Sequence, residues 1–126
     1  MLTEEQFNDV HYVCALIEYT ARESGNFPVT VAKALGEDGC ERQLFLAPVN
    51  HCLSFAQVAD ELVTTYHIPK GERDMHAYRY ALPYFLDIGY LYADLVEDVC
   101  PPDAPDLAKT IYNVFTSFLF HRDLQL

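Results

Sequence analysis

Apolar residues recur at helical intervals along most of the chain. Thr3 and Gln6 form a capping-box pattern ahead of Phe7, Val10, Val13, Cys14, Ile17 and Thr20, which share one face at spacings of three and four. Asn8, Asp9, Glu18 and Arg22 take the opposite side. The pattern predicts a helix over about 4–23, ended by Ser24-Gly25-Asn26. Pro28 sits at a favourable first-turn position for a short second helix, "VTVAKAL", that stops at Gly36.

The stretch "GEDGCERQLFLAPVNHCL", residues 36–53, is the least regular, and predicts a helical turn around Glu41–Leu46 followed by a loop. Ser54 and Gln57 form a second capping box. They open a helix through about His67, with Phe55, Val58, Ala59, Leu62 and Val63 as its core stripe. Pro69-Lys70-Gly71 ends that helix and forms the best internal boundary.

Beyond the boundary, Met75–Asp98 predicts one or two helices, with Pro83 as an entry or a kink. Pro101-Pro102 breaks the chain. Asp103 with Asp106 then caps a final helix through about Phe120, with Pro105 in its first turn. Leu107, Ile111, Val114, Phe115, Phe118 and Leu119 give that helix a broad apolar stripe. No strand alternation or hairpin signal occurs. The expected fold is all-α, a compact bundle of five or six helices with no sheet. Residues 1–126 are read as a single domain whose halves, about 1–68 and 74–126, join at Pro69–Gly71.

Charge narrows the partners. Nineteen acidic residues against eight basic ones give a formal net charge of −11, and the basic residues are scattered. Direct nucleic-acid binding needs Lys and Arg clustered on one face, and an anionic membrane surface asks for the same. Neither is expected. A basic protein or a neutral surface fits better, although an acidic balance is also ordinary for a soluble protein. No run reaches the roughly eighteen apolar residues of a spanning helix. "MLTEEQFNDV" is acidic where a secretion signal is basic, so a cytoplasmic protein is expected.

The chemistry-bearing residues form no strong motif. Cys14, Cys40, Cys52 and Cys100 are far apart with no CxxC pair, and read as small hydrophobes in a reducing compartment. The densest heteroatom group is Cys40, His51, Cys52 and His67. Its spacing does not match the short fixed intervals of a zinc site, and neighbouring His51 and Cys52 are expected to point apart. Cys52 with His11 or His67 is a formal nucleophile pair that lacks an activating basic neighbour. No phosphate loop, nucleophile elbow or metalloprotease motif is present. No catalytic residue, metal or cofactor is expected.

The stretch "ALPYFLDIGYLYADLVEDV", residues 81–99, holds four aromatic rings and four carboxylates. On a helix, Phe85, Ile88, Tyr92, Leu95 and Val99 form one stripe, and Gly89 lets a neighbouring helix approach closely. Tyr84, Leu86 and Tyr90 flank the stripe, and Tyr112 and Phe120 overfill the apolar face of the last helix. A small domain has limited interior, so these five residues are the candidate interaction surface.

Residues 6–71 resemble a family of short bacterial helical domains of unknown function. The likeness rests on "FNDVHYVCALIEYTARESGNFPVTVAKAL" and on "VNHCLSFAQVADELVTTYHIPKG", in which His51 precedes the last helix of the family pattern. "GEDGCERQLFLAP" departs from the family's short connection, and residues 72–126 lie outside it. Members of that family look like companions of toxin-like enzymes, which implies a binding partner more than a catalyst.

The function expected on these grounds is a small, non-enzymatic protein-interaction module, accessory to or an inhibitor of a toxin-like enzyme. It acts as a homodimer or with a basic hetero-partner. The alternatives are a small-ligand binder or enzyme with a Tyr/His-lined pocket, and an acidic mimic of nucleic acid.

Overall fold

The computed structural model describes residues 1–75, 82–103 and 105–117. Among them are five helices and no strand: α1 (Glu4–Ser24), α2 (Pro28–Asn50), α3 (Phe55–Thr65), α4 (Phe85–Val99) and α5 (Leu107–Thr116).

Both capping boxes form. Thr3 Oγ1 accepts from the Gln6 N–H at 3.0 Å while Gln6 Oε1 accepts from the Thr3 N–H at 2.9 Å. Ser54 and Gln57 repeat the exchange at the start of α3. Each box satisfies donors that a helix start leaves orphaned, worth about 1 kcal/mol. α1 ends where expected, at a left-handed Gly25.

Three element readings need correction. Residues 36–53 are not a turn and a loop: α2 runs to Asn50, and its non-helical residue is Gly36, with φ 67° and ψ −179°. Gly36 does end the first helical segment, as expected, and a second segment follows across this kink from Glu37 to Asn50. Pro48 lies inside the second segment and leaves the Leu44 carbonyl without its i→i−4 donor. Second, the last helix is capped by Asp106, whose side chain accepts from the Lys109 N–H at 3.1 Å. Pro105 therefore precedes the helix, and Asp103 is not the cap. Third, that helix leaves helical geometry at Ser117, short of Phe120. Phe118, Leu119, Phe120 and the 76–81 part of the predicted Met75–Asp98 helix lie outside the described residues.

α1 is the central element. Residues Val13 to Glu18 are all buried, so the helix is enclosed on every side along its middle. Glu18 was expected on the wet face; it is 4% exposed and held by Arg22 Nε at 2.7 Å. A carboxylate enclosed by neighbouring helices needs such a charge-assisted partner.

α2, α3 and α4 each pack on α1, and α5 fills the angle between α2 and α4. Gly89 of α4 lies on the Ala15 backbone of α1. Tyr92 stacks on Phe115 with centroids 3.9 Å apart, joining α4 to α5. One hydrophobic cluster takes residues from all five helices, among them Val10, Ile17, Val31, Leu62, Tyr92 and Phe115. Within α4 the buried stripe is Ile88, Gly89, Tyr92, Ala93 and Val96. Val99, assigned to the stripe by spacing, is 47% exposed.

The Pro69–Arg73 segment is pinned to the α1–α2 turn. The Gly71 N–H donates to Ser24 O at 2.7 Å and the Arg73 N–H to Gly25 O at 2.9 Å. Buried Asn26 donates through Nδ2 to Pro69 O at 2.7 Å. The Arg73 guanidinium lies 4.3 Å from the centre of the Phe27 ring, a cation–π contact. No helix among the described residues is long and apolar enough to cross a membrane.

Candidate functional site

The residues picked out by sequence divide between two places. Tyr84, Leu86 and Tyr90 all lie at the start of α4, but Tyr84 contacts Phe85 whereas Leu86 and Tyr90 meet His11 of α1. Tyr84 is 59% exposed and Tyr90 49%, while Leu86 is half-buried. Tyr90 stands edge-on to Phe7 at 5.4 Å and to His11 at 5.6 Å. His11 Nε2 hydrogen-bonds the Leu86 carbonyl at 2.9 Å, which fixes the imidazole between α1 and α4. Tyr112 sits apart on α5, half-buried against the core. Phe120 lies outside the described residues.

An aromatic belt continues from Tyr84 across α1 to α3. Tyr84 meets Phe85 at 4.7 Å, Phe85 meets Phe55 at 4.9 Å, and Phe55 meets Tyr12 at 5.4 Å and Tyr19 at 5.7 Å. Edge-to-face and tilted geometries of this kind add to the area that the rings bury. The phenols have acidic neighbours. Burial and then the Glu61 carboxylate push the Tyr12 hydroxyl above its ordinary pKa. Tyr19 is raised by burial, a hydrogen bond to Glu23 and the charges of Glu23 and Asp60. The belt is largely internal cement between α1, α3 and α4, with Tyr84 as its exposed end. Tyr90 belongs to a separate group with Phe7 and His11.

The larger exposed apolar surface is one that sequence reasoning missed. Phe45 is 80% exposed and Val49, one turn later, 68%; Leu53 just past the helix is 41% exposed. Pro48 stands beside them and is also exposed. The spacing of Phe45 and Val49 is a helix-surface ridge. A helical turn at Glu41–Leu46 followed by a loop puts Phe45 and Val49 in different elements, so the ridge emerges only when α2 runs on to Asn50.

Beside this ridge, an open groove of about 580 Å³ separates the start of α1 from the end of α2. Glu4, Glu5, Asn8 and Asp9 line one wall, and Ala47, Pro48 and His51 the other, with Tyr12 at its base. Burial, then the Glu5 charge, raises the Asp9 carboxyl above the usual aspartate range, and His51 opposes the rise. Glu5 and Asp9 are one turn apart on α1, a like-charge spacing on one wall of the groove. The groove is therefore set up to receive positive charge.

The cysteine and histidine group does not assemble. Cys40 is fully buried, His67 is an exposed residue with φ 53°, and His11 is committed to Leu86. His51 and Cys52, expected to point apart, approach instead, with Sγ 3.8 Å from Nδ1, but both are exposed. No three His, Cys, Asp or Glu side chains among the described residues are placed to hold a metal ion. Two of the four cysteines behave as buried hydrophobes, Cys14 and Cys40; Cys52 is exposed and Cys100 half-buried. Burial drives both inner thiols upward, Cys40 to about 12. Neither is a nucleophile at neutral pH.

No family model, no curated protein and no solved structure matches the chain.

Proposed function

We propose that this chain is a protein-interaction module that binds another protein through the outer face of α2. The observation that carries the reading is the pairing of Phe45 and Val49, 80% and 68% exposed, on a well-formed helix. Soluble chains place isolated apolar residues at the surface freely, but consecutive ridge positions flanked by exposed Pro48 and Leu53 make a contiguous patch. Tyr84 and Tyr90 supply a second, smaller contact of the residue type that interfaces favour.

The formal charge of −11 favours a hetero-partner over a second copy, since two such copies repel. The resemblance of residues 6–71 to companions of toxin-like enzymes supports the finer reading, an accessory or inhibitory role in the cytoplasm. Free thiols at Cys14, Cys40, Cys52 and Cys100 fit that compartment.

The test is a photo-reactive amino acid placed at Phe45 in living host cells, with Glu72 as an exposed control position. A discrete protein adduct at position 45 and none at 72 is the expected result. Absence of adducts at positions 45, 49 and 84 alike would falsify the reading.

A further inference from the structure

The α2 ridge and the acidic groove beside it are neighbours, and together they specify what covers them. Phe45 and Val49 lie one helical turn apart, so the ridge matches the grooves between side chains on another helix. Pro48, exposed between them, also lines the groove, so apolar and acidic surfaces are continuous. Across the groove stand Glu4, Glu5 and Asp9. His51 is the facing basic-capable group, and it belongs to the same α2 end as the ridge.

Resting on the binder reading above, we propose that the occupant is an amphipathic helix of another protein. Its apolar residues cover Phe45 and Val49, and a flanking Arg or Lys inserts between Glu5 and Asp9.

Charge complementarity argues for this occupant. Glu5 and Asp9 stand one turn apart on the same groove wall, and the Glu5 charge adds to the burial that raises the Asp9 carboxyl. A guanidinium placed between them removes the repulsion and donates to both carboxylates. A second copy of this chain would bring eleven more net negative charges and no basic cluster. An acidic helix would meet the groove with like charge.

The experiment uses the full chain and two synthetic amphipathic helical peptides, identical except that their flanking positions carry Arg in one and Glu in the other. Binding is followed by fluorescence anisotropy over a range of salt concentrations. The Arg peptide binds and the Glu peptide does not. The double variant Phe45→Ser/Val49→Ser weakens the Arg peptide by about tenfold or more, as loss of central apolar anchors does. Glu5→Gln/Asp9→Asn weakens it by about tenfold and flattens the salt dependence. Glu23→Gln/Glu72→Gln, which removes two carboxylates at the far end of α1, leaves affinity within about twofold.

If Glu5→Gln/Asp9→Asn changes affinity no more than Glu23→Gln/Glu72→Gln, the cation does not enter the groove and this inference fails. The binder reading still stands in that case, provided the Phe45/Val49 variant weakens binding. Equal affinity for the Arg and Glu peptides also overturns it. Self-association in sedimentation that the Phe45/Val49 variant abolishes would make the occupant a second copy, which overturns it too.

Discussion

Gly89 of α4 and Ala15 of α1 are in direct backbone contact. A Cβ on Gly89 would fall 2.7 Å from Ala15 Cα and 2.8 Å from both its N and its Cβ. The absence of a side chain at position 89 therefore sets the distance between the two most closely packed helices. Gly89→Ala should destabilise the protein by about 1–3 kcal/mol, the range for overpacking a dense core. Ala15→Gly should not rescue it, because the obstructing atoms include the backbone. Urea unfolding of the single and double variants decides this, and full rescue would mean a side-chain clash alone.

The clasp at the α1–α2 turn makes a second expectation. Asn26 is 8% exposed and bonds both Pro69 O at 2.7 Å and Ser24 Oγ at 2.9 Å. Asn26→Ala leaves those acceptors without their donor in a half-closed site, at a cost of about 1–3 kcal/mol. Amide hydrogen exchange should also rise at Gly71 and Arg73, whose N–H groups bond Ser24 O and Gly25 O. Unchanged exchange there would show that Asn26 does not hold the segment.

Surface and core aromatics should separate cleanly. Phe45→Ser, at an 80% exposed position, should change stability by no more than about 0.5 kcal/mol. Phe115→Ala, at a fully buried ring stacked on Tyr92, should cost about 3–5 kcal/mol. Thermal melts of the two variants read the difference. A large loss for Phe45→Ser would mean that its ring is covered within the folded chain.

Asp9 gives a pH dependence of known sign. Its folded pKa is raised by burial and Glu5, so between the unfolded and folded values the folded chain holds the extra proton. Stability from this group is thus greatest at low pH and falls as pH rises through the folded value. Asp9→Asn removes the penalty. It should be more stable than the parent at neutral pH, with the advantage shrinking below the ordinary aspartate range. An advantage that grows toward acid would reverse the sign of the argument.

Thiol labelling of the native protein should be graded by exposure. Cys52 is exposed and should react first, and half-buried Cys100 more slowly. Cys14 and Cys40 should react only on unfolding, because they are inaccessible and their thiols are driven upward, that of Cys40 to about 12. Mass spectrometry after a short alkylation pulse at mildly alkaline pH measures the order.

Local signals carried much of the architecture. Thr3 with Gln6, and Ser54 with Gln57, marked two helix starts, because a cap is a chemical exchange within four residues and needs no distant partner. Gly89 could be picked out as a close-approach point, since it interrupts an otherwise bulky apolar stripe. Tyr84 and Tyr90 were legible as surface residues because they lie off that stripe.

Other features depend on neighbours that no local pattern reveals. Glu18 has the spacing of a solvated residue, yet it is enclosed because α1 is surrounded along its middle. Val99 keeps the stripe's spacing yet is 47% exposed, at the last residue of α4. Residues 36–53 contain two glycines and a proline, which propensity alone reads as a break. Packing against α1 and α5 holds residues 37–50 in helical geometry beyond the Gly36 kink. That override created the Phe45–Val49 face, so the candidate site became visible only in three dimensions.

The sequence by itself determined the all-helical class, the two capping boxes and the acidic character, because periodicity, capping chemistry and charge are properties of short stretches. Tertiary structure alone decided which helix is central, where α2 bends and which apolar residues remain uncovered. Burial is set by what packs against a residue, and those partners are brought together only by folding.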